Sequence, residues 1–174
     1  MAVAVEAVCL RNIPDHLSTV TSTLSLRAIT IDDGFMSFAT RGQNIENLCL
    51  PWGNVSDRVM CCFCQFPNLR ALDLSGATFE AAIYLSVLAS SCGDKLTELL
   101  LYNCQPMLSV AQLQQELPRF TQLTSFSWDI AIHDPFGWDM SSCSRLAKLQ
   151  IDYRGNNYDR LFGQLTEHCC ANIR

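Results

Sequence analysis

The sequence predicts an α/β solenoid. In such a horseshoe of stacked coils, a parallel sheet lines the concave side and helices or turns line the convex side. Three observations predict it. One nine-residue pattern, apolar at its first, fourth and sixth places, recurs along the chain. Its copies follow one another at about the length of one coil. The residues between copies place apolar side chains at helical spacing.

In chain order the copies rest on Val5, Val8 and Leu10, then Leu26, Ile29 and Ile31, then Ile45, Leu48 and Leu50. They continue with Leu69, Leu72 and Leu74, then Leu96, Leu99 and Leu101. The last two rest on Leu123, Phe126 and Trp128, and on Leu146, Leu149 and Ile151. Seven copies start at residues 5, 26, 45, 69, 96, 123 and 146, with spacings of 21, 19, 24, 27, 27 and 23. The fourth and sixth places alternate as a strand with one buried face requires. The first place turns the chain into the interior. The ninth turns it out, and Cys104 there is suited to satisfying backbone groups between coils. Gly34, Gly53 and Ala77 are small substitutes at the same place.

The connections cross the convex side. Phe79, Ile83, Val87 and Leu88 recur at helical spacing, with Gly93 as a stop. Leu113, Leu117 and Phe120 mark a second helix interrupted at Pro118. Leu161, Phe162, Leu165 and Cys169 mark a third. The 27-residue spacings have room for full helices, and the 19-residue spacing has room only for a turn or a short 3₁₀ segment. The repeats fill residues 1–174 as one domain. Neither end carries a recognisable polar cap, so further repeats or another subunit are expected to cover the exposed edges.

Composition narrows the function. Half the chain is hydrophobic and 17% is charged, a globular balance. The net charge of −5 argues against nucleic acid as a partner. No apolar run is long enough to cross a membrane, so no insertion is expected. The first ten residues lack a basic region and contain Glu6, a poor secretory signal. Ten cysteines without such a signal fit reduced thiols in cytoplasm or nucleus better than a disulfide framework. Asn54, Val55 and Ser56 match the short glycosylation pattern, which is common by chance.

The reactive residue types form no catalytic or metal-binding pattern. His168 beside Cys169 and Cys170, and the group Cys61, Cys62 and Cys64, lack the paired spacings of a zinc ribbon or finger. These cysteines read as small core or edge residues. There is no Gly-rich phosphate loop, HExxH or GxSxG. The expectation is a non-enzyme without cofactor or metal.

The Leu96–Cys104 copy reads L-x-x-L-x-L-x-x-C. It resembles the leucine-rich-repeat superfamily, and the resemblance extends over nearly the whole chain. The Leu69–Gly76 and Leu96–Cys104 units, each followed by a helix, resemble the ribonuclease-inhibitor-like and cysteine-containing types. Those types include the repeat domains of F-box ubiquitin-ligase receptors. The resemblance implies a protein-recognition module, such as a substrate adaptor of a ubiquitin ligase. The alternative is a structural or assembly subunit of a larger complex.

In this fold the strand residues pointing away from the core line the concave face. The expected partner-binding residues there are Asp32, Asp73, Glu98, Leu100, Tyr102, Asp129 and Asp152. Against five acids, the same columns hold only Arg11 and Lys148 as bases. An acidic face would favour a basic protein surface. Leu100 and Tyr102 lie mid-array, where an aromatic anchor can form a hot spot. Trp128 occupies a buried strand slot, and Trp138 also reads as core. Trp52 lies on the edge loop, where packing and partner contact are both open.

Overall fold

Between one coil and the next, a single carbonyl accepts two consecutive N–H groups. Ser22 O takes Glu46 and Asn47, Glu46 O takes Arg70 and Ala71, and Arg70 O takes Thr97 and Glu98, at 2.7–3.0 Å. Thr97 O takes Thr124 and Ser125, and Thr124 O takes Ala147 and Lys148, at 2.9–3.0 Å. These bonds hold each strand against its neighbour at its point of entry. The computed structural model describes residues 2–6, 21–27, 35, 38–130 and 143–153.

The strands are β1 (Ala2–Glu6), β2 (Thr23–Arg27), β3 (Asn47–Cys49), β4 (Asn54–Val55) and β5 (Ala71–Asp73). They continue as β6 (Thr78–Phe79), β7 (Glu98–Leu101), β8 (Ser125–Ile130) and β9 (Lys148–Tyr153). Seven of them form one sheet in the order β1-β2-β3-β5-β7-β8-β9, every pair parallel. Strands β4 and β6 pair separately, and Gln105 extends that ladder by a bridge to Thr78. The helices are α1 (Asp57–Cys62), α2 (Tyr84–Cys92) and α3 (Val110–Glu116). Short 3₁₀ turns, Phe63–Gln65 and Leu117–Arg119, follow the first and third. The fold is an α/β leucine-rich-repeat-type solenoid. Its core lies between the large sheet and the helices, where Leu48, Leu72, Leu99 and Phe126 are 0–1% exposed.

Five of the seven copies sit in the expected register. The first two are corrected. Leu24 pairs with Leu48, and Val3 pairs with Leu24. The strand slots therefore belong to Val3 and Val5, and to Leu24 and Leu26, five residues before the expected ones. The 19-residue gap disappears, because Leu24 to Leu48 spans 24 residues like Leu48 to Leu72. That gap also holds more than a turn: Phe35, Phe38 and Ala39 are helical and buried.

For the second copy the cause is Thr21, which takes the first place that Ile45, Leu69, Leu96, Leu123 and Leu146 take elsewhere. A hydroxyl hides the slot from an apolar template, and Leu26 then passes as a start. Thr21 is 1% exposed and its Oγ1 is buried without a hydrogen-bond partner. Thr21→Val keeps the shape and removes the orphaned hydroxyl. It is expected to raise stability by about 1 kcal/mol. A urea midpoint below that of the parent chain would contradict this slot assignment.

Side-chain caps set the entry of α1 and α3, whereas α2 starts after Ile83 without one. The Ser56 hydroxyl accepts Val59 N–H at 3.4 Å, and Asp57 adds negative charge in the first turn of α1. Ser109 and Gln112 form a full capping box on α3. Pro118 falls at the start of the 3₁₀ turn that ends this helix, as expected. Helix α2 differs from expectation. Phe79 belongs to β6 and stacks on Tyr84, ring centroids 3.9 Å apart. The buried face is Tyr84, Leu85, Leu88, Ala89 and Cys92, while Ile83 is 56% exposed. Gly93 does end the helix, but by proximity rather than by a left-handed turn. Its φ is −63°, and an added Cβ would meet Ala89 O at 2.5 Å and Arg119 O at 3.0 Å.

Lys95 closes the end of the preceding coil's helix. Its Nζ donates to the carbonyls of Phe63, Cys64 and Phe66 at 3.0, 3.2 and 2.6 Å. Those carbonyls lie at a helix C-terminus, where a cation is favoured. Partial burial draws the ammonium below its usual lysine range. Lys95→Met keeps the stem and removes the donors. A loss of about 1–3 kcal/mol is expected in urea unfolding. An unchanged midpoint would mean that water replaces the ammonium at no cost.

The expected helix at Leu161, Phe162, Leu165 and Cys169, and Trp138, lie outside the described residues. No helix among the described residues is long and apolar enough to cross a membrane.

Candidate partner-binding face

Strand pairing places the expected residues relative to one another. Glu98 pairs with Ala71 on one side and Ser125 on the other, and Leu100 with Asp73 and Ser127. Glu98 and Leu100 are two apart on β7 and so share the concave face. With strands about 4.8 Å apart, Asp73 and Leu100 are lateral neighbours. Asp73, Glu98, Leu100 and Tyr102 are all half-buried. They form a contiguous patch in the middle of the sheet. The rows toward β2 are neutral: Thr23, Ser25, Asn47 and Cys49. On β9, Lys148 and Gln150 are exposed.

Asp73 also serves the fold. One carboxylate oxygen accepts Ser75 N–H at 2.9 Å, which closes a local turn. The other accepts the Cys49 thiol at 3.3 Å. Tyr102 is half-buried with its hydroxyl oxygen covered and unpartnered, and the neighbouring Ser75 Oγ is in the same condition.

Asp129 is corrected from contact residue to structural acid. It is 4% exposed, and both carboxylate oxygens lie 2.7 Å from Asn103 N. The reason lies in the turn after each strand. Its eighth place is left-handed in three successive coils: Trp52 at φ 62°, Gly76 at 75° and Asn103 at 54°. Each of these residues gives its N–H to the following coil. Trp52 donates to Ser75 O at 2.9 Å and Gly76 to Tyr102 O at 2.6 Å. Strand β8 runs straight on to Ile130 instead of turning, and the Asp129 carboxylate takes the place of that carbonyl for Asn103. Ser127 beside it is also buried.

Two expected acids add nothing to the described patch. Asp32 lies outside the described residues, and the strand position assigned to it is taken by Arg27 in the corrected register. Asp152 pairs with Asp129 along the backbone of β9. The described acidic patch is therefore Asp73 and Glu98.

Other features were not legible in advance. Trp52 is 66% exposed, and its indole lies over Gly76, where an added Cβ would stand 2.5 Å from the ring. A left-handed tryptophan is strained. Trp128, by contrast, is core as expected, 2% exposed. A small cleft of about 160 Å³ lies near Leu117, Phe120, Leu123, Cys143 and Leu146.

The buried thiols are built for structure. Cys104, at the ninth place of its coil, donates to Leu74 O at 3.3 Å, the inter-coil role the pattern suggests. Cys92 donates to Leu88 O at 3.3 Å. Burial pushes both thiols up to about 12, so they stay protonated and poor as nucleophiles. Burial also pushes the Tyr84 hydroxyl up, with Cys104 and Asp129 adding to the effect. Among the described residues, no three His, Cys, Asp or Glu side chains gather as a metal site would require.

No family model matches the chain, and no curated protein matches it. Among solved structures it is similar to a tropomodulin C-terminal domain from Caenorhabditis elegans. Identity is 12% and the TM-score 0.47, over 95% of this chain and 90% of that one. It is also similar to an internalin from Listeria monocytogenes, at 15% identity and a TM-score of 0.44, over 88% of this chain. The match spans 48% of that internalin.

Proposed function

We propose that this chain is a non-catalytic protein-interaction module that binds through the concave face of β5 and β7. The observation that carries this reading is the patch of Asp73, Glu98, Leu100 and Tyr102, half-exposed side by side on a rigid sheet. An apolar and aromatic centre flanked by carboxylates suits a protein surface bearing a basic residue next to an apolar one. The finer reading is the substrate-recognising part of a ubiquitin-ligase adaptor in the cytoplasm or nucleus. It is supported by the coil type, with a strand, a helix and the ninth-place Cys104.

Glu98→Arg combined with Leu100→Asp tests the patch while sparing Asp73, which the fold uses. Affinity capture followed by mass spectrometry identifies a partner for the parent chain. The double variant is expected to bind that partner at least about tenfold more weakly, with an unchanged circular dichroism spectrum. Raising the salt is expected to weaken the parent interaction as well. Equal affinity of a folded double variant would sink the proposal.

A further inference from the structure

Cys61 and Cys64 are both exposed, and Cys62 between them is buried with its thiol donating to Arg58 O at 3.1 Å. The backbone through all three is helical, α1 ending at Cys62 and the 3₁₀ turn running from Phe63 to Gln65. On such a backbone, residues three apart stand one above the other with Cα atoms about 5–6 Å apart. A disulfide requires a Cα separation of about 4.4–6.8 Å. On a helix Cys61 diverges from Cys62 by about 100° and Cys64, two residues on, by about 160°, so neither outer cysteine is matched to Cys62. Among these three cysteines, only Cys61 and Cys64 combine a shared face, a suitable separation and access to solvent. The turn that carries Cys64 is also held in place. Lys95 of the next coil binds the carbonyls of Phe63, Cys64 and Phe66.

We propose that Cys61 and Cys64 form a reversible dithiol–disulfide site that reacts with low-molecular-weight disulfides such as glutathione disulfide. The thiolate of one cysteine attacks the glutathione disulfide. A mixed disulfide forms and one glutathione thiol leaves. The second cysteine's thiolate then attacks the protein sulfur of that mixed disulfide and displaces the second glutathione thiol. Two electrons pass from the protein to glutathione disulfide, and the two protein thiol protons end on the two glutathione thiols. The site is independent of the concave patch, so loss of either leaves the other standing.

The full chain is incubated with glutathione disulfide, alkylated and mapped by mass spectrometry. The expected result is joint loss of the Cys61 and Cys64 thiols as one intramolecular bond, with dithiothreitol restoring both. Cys61→Ser and Cys64→Ser, each at an exposed position, are expected to stop at a persistent glutathione adduct on the remaining cysteine. Cys62→Ala is expected to close as the parent does. The proposal is overturned if the parent accumulates separate adducts without closure. It is equally overturned if closure survives either serine variant, requires Cys62, or resists reduction.

Discussion

Phe66→Ala is expected to lower stability by about 3–5 kcal/mol. Phe66 is 0% exposed. Its ring centroid lies 5.9 Å from Phe35 and 6.1 Å from Phe38, and Phe63 packs edge-on against Phe35 at 5.9 Å. These four rings join two coils on the helix side of the sheet. The space for Phe66 is made by Gly42, where an added Cβ would stand 2.5 Å from the ring. Truncating Phe66 leaves a cavity beside a residue with no side chain to fill it. Adding Gly42→Ala to the Phe66→Ala chain is expected to recover part of the loss, although Gly42→Ala alone is destabilising. Urea unfolding of the four chains measures the cycle. A Phe66→Ala loss below about 1 kcal/mol would mean that the rings are not packed against one another.

Asp129→Ala is expected to cost about 2–4 kcal/mol. The carboxylate is buried and accepts the N–H of a left-handed residue, so its removal takes away both oxygens that lie 2.7 Å from that nitrogen. Asp129→Asn keeps an acceptor in place and is expected to lose less, about half. This pair separates a structural acid from a binding one. A structural acid shifts the unfolding midpoint and leaves partner affinity unchanged in the folded variant. A stable Asp129→Ala chain that fails to bind would restore Asp129 to the recognition face.

The repeat was legible because one face of each strand must be apolar. Five registers followed directly from Leu48, Leu72, Leu99, Phe126 and Leu149. The second slipped because Thr21 is polar in an apolar slot, and only pairing between coils identifies Leu24 as the strand residue; the first is fixed only by the pairing of Val3 with Leu24. The helix face around Ile83 was misjudged because Phe79, read as a helix residue, belongs to a strand and shifts the count. The patch of Asp73, Glu98, Leu100 and Tyr102 was legible, since alternation assigns faces once register is known. The burial of Asp129 was not. It depends on β8 running straight where earlier coils turn, and nothing local to that residue signals it. Lys95 was missed for a similar reason, because its three acceptors lie about thirty residues away.

The junctions between coils also bear on how such a chain grows by gene duplication. From Ser22 to Thr124, each strand-entry carbonyl accepts two backbone N–H groups, and the Thr97 and Thr124 hydroxyls add a side-chain donor to the carbonyls of Arg70 and Thr97. The turn bonds of Trp52 and Gly76 use backbone groups alone. A tandem copy of the coil that begins at Leu69 inherits these bonds wherever the donor position is not proline and its turn keeps a residue, such as Gly76, that tolerates a left-handed backbone. The junction after Asn103 is different, since its acceptor is a particular side chain. A copy that spans this junction keeps the bond only if it keeps the aspartate.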